Sequence, residues 1–571
     1  MRLNSIALAF TATLAIAGCA STGGTSPPAP VRLATLHVDV PEIARPGGET
    51  AAWWFRDGAA QAAERGAMDG RAKNVILFLG DGMSLTTVAA ARILEGQRKG
   101  GNGEENRLAW EDFPATALSK TYNTNSQTPD SAGTMSAIAT GVKTRLGVVS
   151  ISPDARRKDC AGALAAPMLT LWELAARSNM ATGVVTTARV TDATPAATFA
   201  HGPERRWEGD TDLPDEAKAA GCIDIARQLV ESPFGSGADV LMGGGRDKFM
   251  TSRQHDPEYP DKRGSREDGR DLVAEWLLRH PGGSYAWNKG QLALAPAGMP
   301  LLALFQPGHM HYEHDRALDP GGEPSLAEMT RAAIERLSAN PNGFVLLVEG
   351  AGIDKANHAG NAHRALTDTI AFSDAVRVAG EMTSADETLI LVTADHSHTL
   401  TLSGYGRRGN PILGKVHGGS SESIATVDPT ALARDATGLP YTVLNYTSGP
   451  GHVGASAQQP EGSKRFPHLG RGYAAAQAAR PDLADVDTES PDYMQEAIFP
   501  LASETHGGDD VGVWARGPGN GAVRGSIEQN AIFHILLQAT PRLRATLCAK
   551  GLCDANGVPV TLPAFEDFRP R

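Results

Sequence analysis

Asn74 to Met83 reads NVILFLGDGM, an apolar run without alternation that breaks at Gly-Asp-Gly. Five consecutive apolar residues, Val75–Leu79, fit a strand covered on both faces, as strands of parallel sheets are. Phe344–Val348, Leu389–Val392 and Val511–Trp514 read the same way. Between them lie helical patterns, among them Leu85–Leu94, Thr170–Ala176 and Leu326–Leu337. The alternation from Arg71 onward predicts an α/β fold: a central, mostly parallel β-sheet flanked by helices. Between about Ser403 and Lys464 the pattern loosens into glycine, serine and proline. A strand follows it, so the segment reads as a small inserted subdomain on the surface and not as a linker.

The 571 residues, 41% hydrophobic and 21% charged, suffice for one large domain or a few smaller ones. A net charge of −12 with acids and bases interspersed argues against nucleic-acid binding. At the N-terminus, Arg2 precedes a short apolar run, Ile6–Ile16, that ends in Ile16-Ala17-Gly18-Cys19. The run is too short for a permanent membrane span. Residues 1–19 read as a lipoprotein signal peptide with Cys19 as the lipidated mature N-terminus; an ordinary signal peptide cut nearby is the alternative. STGGTSPPAP then opens a polar tether over 20–50, ahead of a catalytic domain over 51–571. Ala20, following the cysteine, points to an outer-membrane lipoprotein, so the expected location is the periplasm or the cell surface. An even set of further cysteines, Cys160, Cys222, Cys548 and Cys553, suggests disulfides in an exported protein. Proximity pairs Cys548 with Cys553 and leaves Cys160 for Cys222.

In open α/β sheets, sites form beyond the carboxyl ends of the strands. ILFLGDG delivers Asp81 there; FVLLVEG delivers Glu349, and IDKANHAG follows with Asp354 and His358. LILVTADHSH delivers Asp395 and His396, and SETHGGDD offers His506 just before the last expected strand. Each fragment alone is ordinary: a turn cap, or a surface pair four residues apart on a helix. Together they place several acids at one edge, which is costly without cations. Mixed histidine and carboxylate ligands suit zinc, and carboxylate with hydroxyl oxygen suits magnesium. In TPDSAGTMSAIATG, Thr128–Gly141, Ser131 stands at the start of an Ala/Met/Ile helix and, on local sequence, reads as its cap.

Six stretches carry a resemblance: NVILFLGDGM, TPDSAGTMSAIATGVKT, TARVTDATPAATFAHGPERRW, VEGAGIDKANHAGNAHRALTDT, LVTADHSH and ETHGGDDVGVWARGP. In this order they resemble the alkaline phosphatase family, from roughly residue 50 to 555, and more closely its animal branch. The resemblance implies metal-dependent hydrolysis of phosphate monoesters through a phosphoserine. Ser131 takes the nucleophile's place, and Arg205 that of the arginine clamping two phosphate oxygens. Asp354, His358 and His506 match the ligands of one zinc; Asp81, Asp395 and His396, with Ser131 Oγ, match those of a second. Asp81, Thr194 and Glu349 match a magnesium site, with Asp192 holding one of its waters and Lys355 beside it. A weak calcium site is implied at Glu258, Phe305, Gln306 and Asp319, weakened because Gln306 is neutral. WWFRDGAAQAAERGA, from Trp53, resembles an arm that lies across a second subunit, and so implies a homodimer.

Three other functions compete. A sulfatase needs a Cys/Ser-x-Pro-x-Arg setting that DSAGT lacks. A phosphodiesterase of the superfamily usually uses threonine and lacks the arginine. A lipoprotein that binds phosphate or metal without catalysis is the third. His398 reads as packing or hydrogen bonding near the site, and His309, His311 and His314 as solvated surface. Gly243-Gly244-Gly245 reads as a tight loop, without a P-loop's lysine.

Overall fold

The computed structural model describes residues 36–234, 238–418, 428, 430–468 and 480–570. Cys19, the signal peptide, the tether up to residue 35 and part of the insert lie outside them. In chain order the strands are β1 (Asn74–Gly80), β2 (Ala115–Lys120), β3 (Ala181–Arg189), β4 (Val240–Gly244), β5 (Ser284–Ala286), β6 (Leu301–Leu304), β7 (Phe344–Gly350) and β8 (Thr388–Ala394). Short strands follow: β9 (Ser397–His398), β10 (Leu400–Leu402), β11 (Leu444–Gly449), β12 (Ala497–Pro500) and β13 (His506–Gly507). The chain then re-enters the main sheet with β14 (Val511–Arg516) and β15 (Arg524–Glu528). That sheet has the order β15-β2-β14-β8-β1-β7-β3-β4-β6-β5.

The apolar runs are continuous because both faces of the sheet are covered. Val75, Leu77 and Leu79 of β1 enter one core, and Ile76 and Phe78 the other. β7 divides the same way, Val345 and Leu347 against Leu346 and Val348, as does β8, Leu389 and Leu391 against Ile390 and Val392. Helices Leu85–Arg98, Leu326–Leu337 and Ala362–Met382 close one side; Ala51–Glu64, Ser131–Thr140, Leu171–Arg177 and Ala531–Ala539 close the other. Both expected disulfides, Cys160–Cys222 and Cys548–Cys553, are present. No helix among the described residues is long and apolar enough to cross a membrane.

The structure departs from the sequence reading in three places. The strand at Val511–Arg516 is not the last and runs antiparallel to both β8 and β2. That reversal places its N-terminal approach, and so His506, at the carboxyl end of β8. Residues 36–50 are not free tether: Val38 is buried against Ala59, Ala63 and Val558, and Trp53 Nε1 donates to Pro41 O at 2.9 Å. The helix carrying Trp53 and Trp54 packs on Ala531–Ala539 of its own chain, with Asn530 Nδ2 donating to Trp54 O at 2.8 Å. The inserted subdomain reaches beyond Lys464, because β12 completes a three-stranded sheet with β10 and β11.

Leu391, fully buried in β8 between β1 and β14, reports on this packing. Leu391→Ala is expected to lower unfolding free energy by about 2–5 kcal/mol, measured from the denaturant midpoint. A change within about 0.5 kcal/mol, the range of neutral surface substitutions, would contradict the two-sided core.

Candidate active site

All ten residues of the Ser131–Thr140 helix are buried, which its small side chains permit. A Cβ at Gly133 would sit 2.4 Å from Asn123 Nδ2. The cap is Asp130 and not Ser131: Asp130 Oδ1 accepts from Gly133 N at 3.1 Å and from Gly147 N at 2.9 Å. With capping done by its neighbour, Ser131 keeps its hydroxyl for other work. Ser131 is 2% exposed, and its Oγ lies 3.1 Å from His396 Nε2.

The carboxyl ends of β1, β7 and β8 meet the β13 hairpin in two groups. Asp354, His358, His398 and His506 form one; Asp81, Asp395 and His396 form the other. In the first, His358 Nδ1 bonds Glu504 O at 2.6 Å and His506 Nδ1 bonds Pro129 O at 2.8 Å. Carbonyls can only accept, so both Nδ1 atoms carry the proton and both Nε2 atoms present lone pairs. These Nε2 atoms face each other at 3.1 Å, each 3.4 Å from Asp354 Oδ1, a donor set that fits a divalent cation. His398 differs: its Nε2 bonds Asp354 Oδ1 at 2.8 Å and its Nδ1 bonds Glu504 Oε2. Burial opposes its charge, but Glu504 and Asp354 raise its pKa to about 10. It is an imidazolium tie and not a lone-pair donor. Burial would likewise lift Asp354, yet the surrounding imidazoles hold it well below the usual carboxylate range.

In the second group, His396 Nε2 lies 3.3 Å from both Asp81 Oδ1 and Asp395 Oδ2. Gly82 N and Thr134 Oγ1 donate to Asp395 at 3.0 and 3.2 Å. Burial raises Asp81, and Asp354 and Asp395 raise it further; burial also raises Asp395, and pushes Glu349 to about 8. Buried Asp81 Oδ1 and Thr194 Oγ1 make no hydrogen bond. Crowded carboxylates with orphaned oxygens are what a cation resolves, so these residues too fit divalent metals.

β3 brings Asp192 to the same edge, where it caps a short helix holding Thr194. Asp192 lies 3.3 Å from Lys355 Nζ and 3.3 Å from Arg205 Nη2, while Arg205 Nη1 reaches Asp130 Oδ2 at 3.2 Å. Those acids keep the Arg205 guanidinium charged despite its burial. His309 is not solvated surface: it lies 3.8 Å from Asp192, and burial with nearby Lys355 pushes it down to about 2. His311 pairs with Glu323 at 3.1 Å.

The residues of the implied calcium site also meet. Gln306 Nε2 donates to Asp319 Oδ1 at 2.6 Å, and Phe305 is buried beside it. Glu258 pairs with Arg246 at 3.0 Å, an internal cation that already serves part of its charge. Two contributors escaped the sequence reading: Asp130, which links the serine helix to Arg205, and Glu504, which orients His358 and His398. Each adjoins a motif residue, Ser131 or, two positions on, His506; adjacency was their only signal.

Comparison with known proteins agrees with this geometry. The family model described as alkaline phosphatase matches residues 72–541. The tissue-nonspecific alkaline phosphatase of Gallus gallus is 40% identical over 503 residues, 86% of this chain and 89% of that protein. An alkaline phosphatase of Gadus morhua is 41% identical over 476 residues, 82% and 92% of the two chains. The crystal structure of Thermus thermophilus alkaline phosphatase matches with a TM-score of 0.57 at 26% identity, over 83% of this chain and 92% of that one. The enzyme of the Antarctic bacterium TAB5 shares the fold, with a TM-score of 0.52 at 21% identity over 82% and 98%. Family, fold and site together make this chain a member of the alkaline phosphatase family, a hydrolase of phosphate monoesters that works with divalent metals.

Proposed function

We propose that hydrolysis runs through Ser131 and that Arg205 holds the phosphoryl group. The carrying observation is the Ser131 hydroxyl, uncommitted to capping and 3.1 Å from His396, at the start of a buried helix tied through Asp130 to Arg205. Ser131 Oγ forms a bond to phosphorus as the ester P–O bond breaks and the alcohol leaves with a proton. Water then forms the new P–O bond, Oγ–P breaks, and Ser131 regains its hydrogen. The planar fork of Arg205 fits two phosphoryl oxygens, which favours monoesters over diesters. The helix N-terminus adds N–H groups and positive potential. Bound at the two groups, divalent ions supply an acidified hydroxyl and a stabilised leaving oxygen. Asp354, His358 and His506 would hold one zinc, and Asp81, Asp395 and His396 the other. Asp81, Thr194 and Glu349 would hold magnesium, with Asp192 and Lys355 beside it; oxygen-only donors favour the harder ion. A weak calcium site at Glu258, Phe305, Gln306 and Asp319 completes the set.

Cys19 as a lipid anchor rests on the sequence before it, and its outer-membrane location on Ala20 after it. A homodimer is supported by an exposed apolar row on the edge strand β12 and just after it: Ile498 65%, Phe499 57% and Leu501 42% exposed.

Ser131→Ala is expected to lower monoester turnover by about 10³-fold or more without loss of fold. Trapping at acidic pH should label Ser131 with phosphate; label on a histidine would refute the assignment. Metal analysis of the loaded enzyme should return two zinc ions and one magnesium per chain, with calcium retained more strongly by Gln306→Glu. Three zinc ions indifferent to added magnesium would overturn that distribution. The anchored dimer predicts membrane partitioning abolished by Cys19→Ser and, for the released protein, twice the chain mass in sedimentation. A soluble wild type would remove the anchor, and a monomer at micromolar concentration the dimer.

A further inference from the structure

Arg157 lies outside the groups described so far, yet it closes a ring that holds Asp130 and Arg205. Its Nε and Nη2 donate to the two carboxylate oxygens of Glu204, at 2.9 Å each. Glu204 is 3% exposed and directly precedes Arg205. The same guanidinium lies against Gly147, where a Cβ would meet Arg157 Nε at 2.5 Å. Gly147 touches both halves of the site: its N–H donates to Asp130 Oδ1 at 2.9 Å, and its carbonyl accepts from Arg205 N at 3.0 Å. Lys158 N donates to Pro203 O at 2.9 Å, a second stitch between the same two segments. The ring therefore runs from Asp130 through Gly147, Arg205 and Glu204 to Arg157, and back onto Gly147.

We propose that Arg157 is a positioning residue for phosphate binding: its fork on Glu204, and its cover over Gly147, set Arg205 and Asp130 relative to Ser131. The proposal rests on Arg205 holding the phosphoryl group. A planar guanidinium fixes a carboxylate in both distance and plane, which a point charge does not. Without Arg157, the buried Glu204 carboxylate would keep only the Arg206 N–H, at 3.3 Å, and the Arg205 backbone beside it would lose that restraint. Small displacements of a positioned group cost binding and rate without any lost contact to substrate.

The test measures KM, kcat and the inhibition constant of inorganic phosphate for Arg157→Gln, Arg157→Lys and Glu204→Gln. Each is made in the wild type and in an Arg205→Gln background, with thermal melts to confirm folding. Arg157→Gln is expected to raise the phosphate inhibition constant and KM about tenfold, the worth of roughly one charged hydrogen bond, with kcat within about threefold. Arg157→Lys, with charge but no fork, should fall between. In the Arg205→Gln background the effect should vanish. Should Arg157→Gln not fold, Glu204→Gln breaks the same fork from its other side. Unchanged constants in the folded variants would overturn the proposal, as would an equal rise in the Arg205→Gln background, which would make Arg157 a direct phosphate contact. Wild-type phosphate inhibition in Arg205→Gln alone would instead overturn the clamp itself, and this proposal with it.

Discussion

Asp81, Glu349, Asp354 and Asp395 are buried together at one edge of one sheet, and among the described residues the nearby Lys355 does not keep Asp81 or Glu349 from being raised. Burying like charges side by side is among the most expensive things a fold can do. Here the parallel packing of β1, β7 and β8 compels it, since each strand releases its acid in the same direction. The antiparallel strand β14 is the exception that completes the site: arriving from the opposite sense, it leads in with His506.

The edge divides into two electrostatic regimes. Around Asp354, imidazoles outnumber acids, and the carboxylate is held ionised. Around Asp81 the acids dominate, and burial pushes them towards protonation. Asp130 bridges from this edge to the binding chemistry: one oxygen orders the serine helix, and the other holds Arg205. Ser131 can therefore begin the helix while its hydroxyl faces His396.

Much of this was legible in the sequence. Strands buried on both faces have no alternation to obscure, so β1, β7 and β8 stood out, and the residues at their ends fell within reach of one another as expected. What stayed hidden depends on direction and partner, which local composition does not carry. Nothing in VGVWAR distinguishes antiparallel from parallel pairing, because a central strand looks alike either way. The polar reading of 20–50 missed Val38, which with Leu36 and Val40 packs into a small core that forms only in three dimensions. Local sequence cannot choose between Ser131 and Asp130 as the cap, because Ser and Asp are equally good ones; the Gly133 N–H, which bonds Asp130 Oδ1, decides for Asp130. His398 does hydrogen-bond near the site, as its sequence reading expects, though its partners Asp354 and Glu504 were not legible; His309 needed its partner Asp192 before it had a role.

The central claim is that divalent ions neutralise this edge, and stability against pH with and without metal tests it most directly. In the stripped protein, Glu349 has its pKa raised to about 8, and Asp81 is raised well above its ordinary value. A raised acid keeps its proton in the fold after the unfolded chain has lost it, so stability falls as pH rises through that interval. His398, raised to about 10, loses its contribution in the same direction. Above about pH 6.5, the ordinary histidine value, the lowered histidines are neutral in both states and no longer offset this. Melting curves of stripped and zinc-plus-magnesium-loaded protein should therefore diverge between pH 6.5 and 8, with the loaded form increasingly the more stable. A gap that is absent, or constant across that range, would contradict the account.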